Sequence, residues 1–128
     1  FSSSVLEHIN ELEKTMAALN GLTSNNGCQI HMVDLRDHFF RYPFEMLCYS
    51  KNVWNTVLNP ADNLNRLRVR DYRTVFEKYY DNVHIDIFSR DSDKFNKIKH
   101  RVKPEFITGI EDEDNALMIT IFAGGLKR

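Results

Sequence analysis

Several groups of side chains in this chain have the types and spacing for chemistry. Asp34, Asp37 and His38 combine carboxylates with an imidazole, the residue types used to move protons or to ligate metal ions. A strand end followed by a capped helix accounts for the same residues, so no metal site is expected. His38 suits a substrate contact or a general base, and equally a loop histidine hydrogen-bonded to Asp34 or Asp37. Arg66, Arg68, Arg70 and Arg73 alternate near a loop, and their guanidinium forks match a carboxylate or phosphate. Lys94, Lys97, Lys99, His100, Arg101 and Lys103 form a basic stretch that could dock an anion or RNA, but its helical period favours a solvated face. His31 and His84 fall within strand-like runs and are expected to be structural. The aromatics from Phe39 to Trp54 could line a pocket, although core or lid packing is their commoner use.

The elements that must position these groups follow from patterning. Ser4 precedes Glu7 by three residues, a capping-box spacing, and Val5, Leu6, Ile9, Leu12, Met16 and Leu19 continue at helical intervals. A helix is predicted to begin at Ser4, with Ser4 and Glu7 as its cap and His8 on its surface or in its packing. Ser24-Asn25-Asn26-Gly27 ends it, and Cys28 to Asp34 reads as the first long strand. Between Asp37 and Pro60, Pro43 and Ser50 are each placed to open a short helix over one end of the sheet. Val69, Tyr72, Val75, Phe76 and Tyr79 predict a helix of about three turns, closed by Asp81-Asn82. Val83 to Phe88 alternates as a half-buried strand. Ser92 is predicted to cap a basic helix with Phe95, Ile98 and Val102 inward and Pro104 as its stop. Glu111 to Asp114 reads as a solvated acidic turn, and Ala116 to Ala123 as the last strand, ended by Gly124-Gly125.

With 128 residues, 42% hydrophobic and 27% charged, the chain suits a single domain spanning 1–128 with one core. Its order of elements fits an α/β domain whose first two long strands are parallel through a helical crossover. No apolar run reaches the ~20 residues that span a bilayer, so a soluble protein with no membrane partner is expected. A net charge of −1 supplies no general attraction to nucleic acid. Cys28 and Cys48 match neither a disulfide scaffold nor a zinc pattern, and are expected as reduced thiols in a cytoplasmic protein. Phe1 stands where an initiator Met would, and the start is expected to be a cut.

Ser3-Ser4-Val5-Leu6-Glu7-His8-Ile9 and His31-Met32-Val33-Asp34-Leu35-Arg36-Asp37-His38 resemble the "S-x-VLEH-[IV]" and "[VI]-D-L-x-D-H" segments in the second half of class I S-adenosylmethionine-dependent methyltransferases, of the methyltransferase type 11 kind. Pro43-Phe44-Glu45-Met46-Leu47, Tyr49-Ser50, Asn65-Arg66-Leu67-Arg68, Asp71-Tyr72 and Phe76-Glu77 resemble a further "PFEFLxYS … NRLRxxDYxxLFE" stretch. Asn25-Asn26-Gly27-Cys28 stands where that family commonly has Lys-Pro-Gly-Gly. The resemblance implies a partial Rossmann-like methyltransferase fold with a three-stranded mixed sheet: two parallel strands, Cys28–Asp34 and Val83–Phe88, with the C-terminal strand Leu117–Ala123 inserted antiparallel between them. Phe1 to Ser3 would be the stub of a preceding strand.

It also implies a reaction centre where the strands carrying Ser3 and Asp34 end. His38 and His8 are then the candidate catalytic groups, Asp34, Asp37, Arg66 and Arg68 the substrate contacts, and Ser3 and Ser4 residual cofactor contacts. Ser4 and Glu7 are equally explained as helix caps. S-adenosylmethionine serves the complete family; the Gly-rich turn and ribose-holding acid are missing here, so the chain alone is expected to bind none and to be inactive. The methyl acceptor is left open. The alternative is a non-catalytic interaction or dimerisation module, and an unpaired Cys28–Asp34 edge predicts a homodimer or strand exchange there.

Overall fold

A computed structural model describes residues 1–59, 61 and 63–127; Pro60, the expected end of the aromatic-rich stretch, lies outside them. Four strands, β1 (Ser2–Ser3), β2 (Cys28–Asp34), β3 (Tyr80–Arg90) and β4 (Ala116–Leu126), form one mixed sheet in the order β1-β2-β4-β3. The α/β class and the boundaries of β2 are as the sequence predicts. The sheet has four strands rather than three, because the short β1 pairs in parallel with β2, Ser2 opposite His31 and Ser3 opposite Met32. β4 runs antiparallel to both β2 and β3, so those two are parallel with the C-terminal strand between them.

α1 (Leu12–Leu22) and α3 (Val69–Tyr79) cover one face of the sheet. Leu12 and Met16 of α1 and Val69, Tyr72 and Phe76 of α3 pack with Val33, Ile119, Ile121 and Ala123, the side chains that alternate inward from β2 and β4. A second apolar cluster joins Phe44, Met46, Leu47, Trp54 and Leu64 to Phe95, Ile98 and Val102. It fastens the segment between β2 and α3 to α4 (Ser92–Ile98), whose apolar residues point inward as predicted.

The predicted helix from Ser4 is broken. Ser4 has φ +53°, outside the extended region an N-cap requires, and it makes no capping box. A single 3-10 turn, Leu6–His8, follows, and α1 starts only at Leu12. The cause is tertiary: Asn65 donates its side-chain amide to the carbonyls of Leu6 (2.8 Å) and Ile9 (2.9 Å) and its backbone N–H to Glu7 O (2.7 Å), so acceptors a helix would use are already committed. The first expected lid helix is a 3-10 turn, Glu45–Cys48; the second, α2 (Lys51–Val53), is capped by Ser50 as predicted and runs on into a π-helical turn, Trp54–Leu58. Asp81-Asn82 and Gly124-Gly125 lie inside β3 and β4 rather than ending elements, since cross-strand pairing extends through Tyr80 and Leu126. Asp91, not Ser92, caps α4 by accepting from Lys94 N at 2.9 Å.

The acidic run is a second correction. It forms a short helix, α5 (Glu111–Asp114), and Asp114 is 3% exposed. Its carboxylate accepts from Thr108 N (2.8 Å), Thr108 Oγ1 (2.7 Å) and Gly109 N (3.1 Å), which closes the loop leading into β4. Asp114→Ala leaves three donors without their acceptor and is expected to cost about 2–3 kcal/mol. A urea unfolding midpoint unchanged in this variant would contradict that role.

Candidate functional site

β1 and β2 are parallel neighbours, so the residues that follow them emerge at the same edge of the sheet. Four titratable groups gather there: Glu7 and His8 from the turn after β1, Asp34 at the end of β2, and His38 beyond it. The His8 and His38 rings lie 5.6 Å apart, centre to centre. His38 Nε2 is 3.7 Å from Asp34 Oδ2, beyond hydrogen-bond range. His38 keeps about a third of its side chain exposed, whereas Asp34 is buried.

Arg36 orients Asp34. Its Nε and Nη2 donate to Oδ1 and Oδ2 at 2.9 and 2.7 Å, and its backbone N–H adds a bond of 3.0 Å to Oδ1. Burial pushes the Asp34 carboxyl up, but these bonds outweigh it and hold it below the usual carboxylate range. Asp37 is buried; its Oδ1 accepts from the backbone of Phe39 (2.8 Å) and Phe40 (3.2 Å), shaping the loop, and its Oδ2 has no partner among the described residues.

Glu7 is the group that sequence reasoning undervalued, because the capping pattern with Ser4 supplied a sufficient explanation. It is 1% exposed and neither carboxylate oxygen has a hydrogen-bond partner among the described residues. Burial raises its pKa, against a nearby backbone amide and His8, and the charge of Asp34 pushes in the same direction as burial. A buried carboxyl with a raised pKa is a feature met at functional sites.

Ser3 is exposed, and Ser4 spends its N–H on Met32 O at 3.0 Å. No glycine pair opens a helix among the described residues; Gly124-Gly125 lies within β4. Arg68 is 3% exposed and lies behind the strand ends, where it donates to the carbonyls of Leu35 (3.0 Å), Ala116 (2.6 Å) and Asp114 (3.3 Å). Burial pushes its pKa down to about 10, so it remains charged at neutral pH. Arg66 is half-buried and does not join the four-residue group; it lines a cleft of about 750 Å³ between the lid segment and the start of α3. Asn65 connects the two places, lining the cleft while holding the carbonyls on either side of Glu7 and His8. Among the described residues no cluster of three or more His, Cys, Asp or Glu can hold a metal ion. Among the described residues no helix is long and apolar enough to cross a membrane. No family model, curated protein or solved structure matches the chain.

His31, mid-strand as predicted, is structural. It is 3% exposed and held between Ser2 Oγ (2.7 Å) and Gln29 Oε1 (2.9 Å), and burial lowers its pKa to about 4. Below about pH 6.5 the unfolded chain takes up a proton that folded His31 refuses, so stability present above that pH is lost on falling toward pH 4, by about 3 kcal/mol. Glu7 acts oppositely: its raised pKa means that stability is lost as pH rises above about 4.5. Unfolding free energies measured across this range should therefore flatten on the acid side in His31→Gln and decline less with rising pH in Glu7→Gln. Slopes parallel to the unsubstituted protein would refute both assignments.

Proposed function

We propose that these residues form the acceptor-side half of a class I methyltransferase-like domain, in which His38 and His8 serve proton transfer at the ends of β1 and β2. The observation that carries this reading is the strand order, with the C-terminal strand antiparallel between two parallel ones, combined with the imidazole and carboxylate groups gathered where β1 and β2 end. Methyl transfer needs the acceptor atom held in line, and a base only when that atom must lose a proton. His38 is the exposed base. Asp34, fixed by Arg36, lies on its Nε2 side and offsets imidazolium charge, leaving Nδ1 for the acceptor. No step is assigned to S-adenosylmethionine, whose contacts these residues do not supply.

This reading expects the reading frame upstream of Phe1 to encode a strand followed by a Gly-x-Gly turn and a helix. The polypeptide extended to include it should bind S-adenosylhomocysteine in calorimetry, and the 128-residue chain should not. In the extended protein His38→Ala should lower turnover by about 100-fold with S-adenosylhomocysteine binding intact. An upstream frame without that pattern, or stoichiometric binding by the short chain, would sink the proposal.

A second reading, an interaction module, is favoured by one observation. β1 covers only His31 and Met32, leaving Cys28, Gln29 and Ile30 without a strand on that side among the described residues. An open edge of this kind recruits a second copy. Sedimentation velocity should then show a concentration-dependent dimer, and a monomer at all concentrations would remove this reading.

A further inference from the structure

The cleft between the 51–58 segment and α3 holds an arginine that forms no ion pair among the described residues. Arg66 is half-buried, its guanidinium 5.5 Å from the centre of the Trp54 ring and 4.9 Å from that of Phe106. Nη1 donates to Met46 O (3.0 Å) and Tyr49 O (2.6 Å), which locks the fork in place. Both contacts use that one nitrogen. Nε and Nη2, the edge able to grip a carboxylate through two parallel bonds, make no hydrogen bond among the described residues. Nor does Arg66 form an ion pair among them. Glu105 is near enough to favour its charge, yet burial still lowers its pKa. Holding an unpaired charge half out of water costs free energy that an anionic ligand would recover.

Asn59 also lines the cleft; it is 8% exposed and its amide donates to Leu64 O at 2.9 Å. The π-helical turn sets this position, because Asn59 N–H closes onto Trp54 O at 2.8 Å. Such turns occur often at functional sites. Lys51 and Arg70 add exposed positive charge to the lining. The acids of the lining, Asp71 and Glu105, oppose a doubly charged ligand; Asp71 is in addition engaged with Arg68 N at 2.8 Å. The volume, about 750 Å³, suits a small organic molecule.

We propose that this cleft binds a small carboxylic acid, its carboxylate on the free edge of Arg66. The site stands independently of methyl transfer at the strand ends. It is tested on the 128-residue chain by amide chemical-shift titration with benzoate, the three hydroxybenzoate isomers, their methyl esters and inorganic phosphate. Saturable shifts are expected around Asn59 and Leu64 to Leu67 with the acids, and absent with the esters and phosphate. Arg66→Gln should weaken binding by about tenfold or more. Because Arg66 also braces two carbonyls, the exposed Lys51 supplies a second variant, and Lys51→Gln should weaken binding a few-fold. Esters binding as well as acids, phosphate binding in place of carboxylates, or no shift with any probe would overturn the assignment.

Discussion

The buried guanidinium of Arg68 is the interaction on which the arrangement at the strand ends depends. One side chain closes on the carbonyls of Leu35, just past β2, of Asp114, at the end of α5, and of Ala116, the first residue of β4. These are points where chain leaves or enters the sheet, and where backbone acceptors would be left without partners away from water. A charged donor reaching all of them holds β2, β4 and α3 in register at the edge where the titratable groups collect. Its guanidinium carbon also lies 5.7 Å from the centre of the Phe44 ring, so the same residue joins the sheet core to the apolar cluster under the lid.

Asn65 extends that constraint to the chemistry. By taking the carbonyls of Leu6, Glu7 and Ile9, it prevents the segment after β1 from continuing as an α-helix and turns Glu7 into the interior. The result is a carboxyl with a raised pKa beside Asp34, whose pKa is depressed, the difference arising from Arg36 on one and burial without partners on the other. The two carboxyl groups thus differ in their environments, although both sit where β1 and β2 end.

The lid segment follows similar logic. Trp54 is buried, donating its indole N–H to Leu64 O at 3.1 Å, and Asn59 shares that acceptor. A π-helical turn makes this possible by adding a residue to the turn, which places Asn59 back over the carbonyl of Trp54. The cleft thus owes its shape to hydrogen bonds within a short stretch, and its charge to the arginines that follow.

Much of the architecture was legible in the residues themselves. The inward alternation in β2 and β4, the apolar stripe of α3 and the Ser50 cap are local patterns, and each appears where its period and capping chemistry place it. The strand-end location of Asp34, Asp37 and His38 was legible for the same reason. What could not be read locally depended on partners distant in sequence. Ser4 and Glu7 spell a capping box, but Asn65, far along the chain, takes the acceptors; Asp114 belongs to an acidic run, but Thr108 and Gly109 draw it inside; Arg68 looks like its neighbours Arg66 and Arg70, but only it meets three carbonyls. Composition and periodicity therefore determined the elements and their buried faces, because those follow from solvation of neighbouring residues. Tertiary structure alone decided which polar groups brace the backbone and which are left for other contacts, because hydrogen bonds among residues far apart in sequence set that choice.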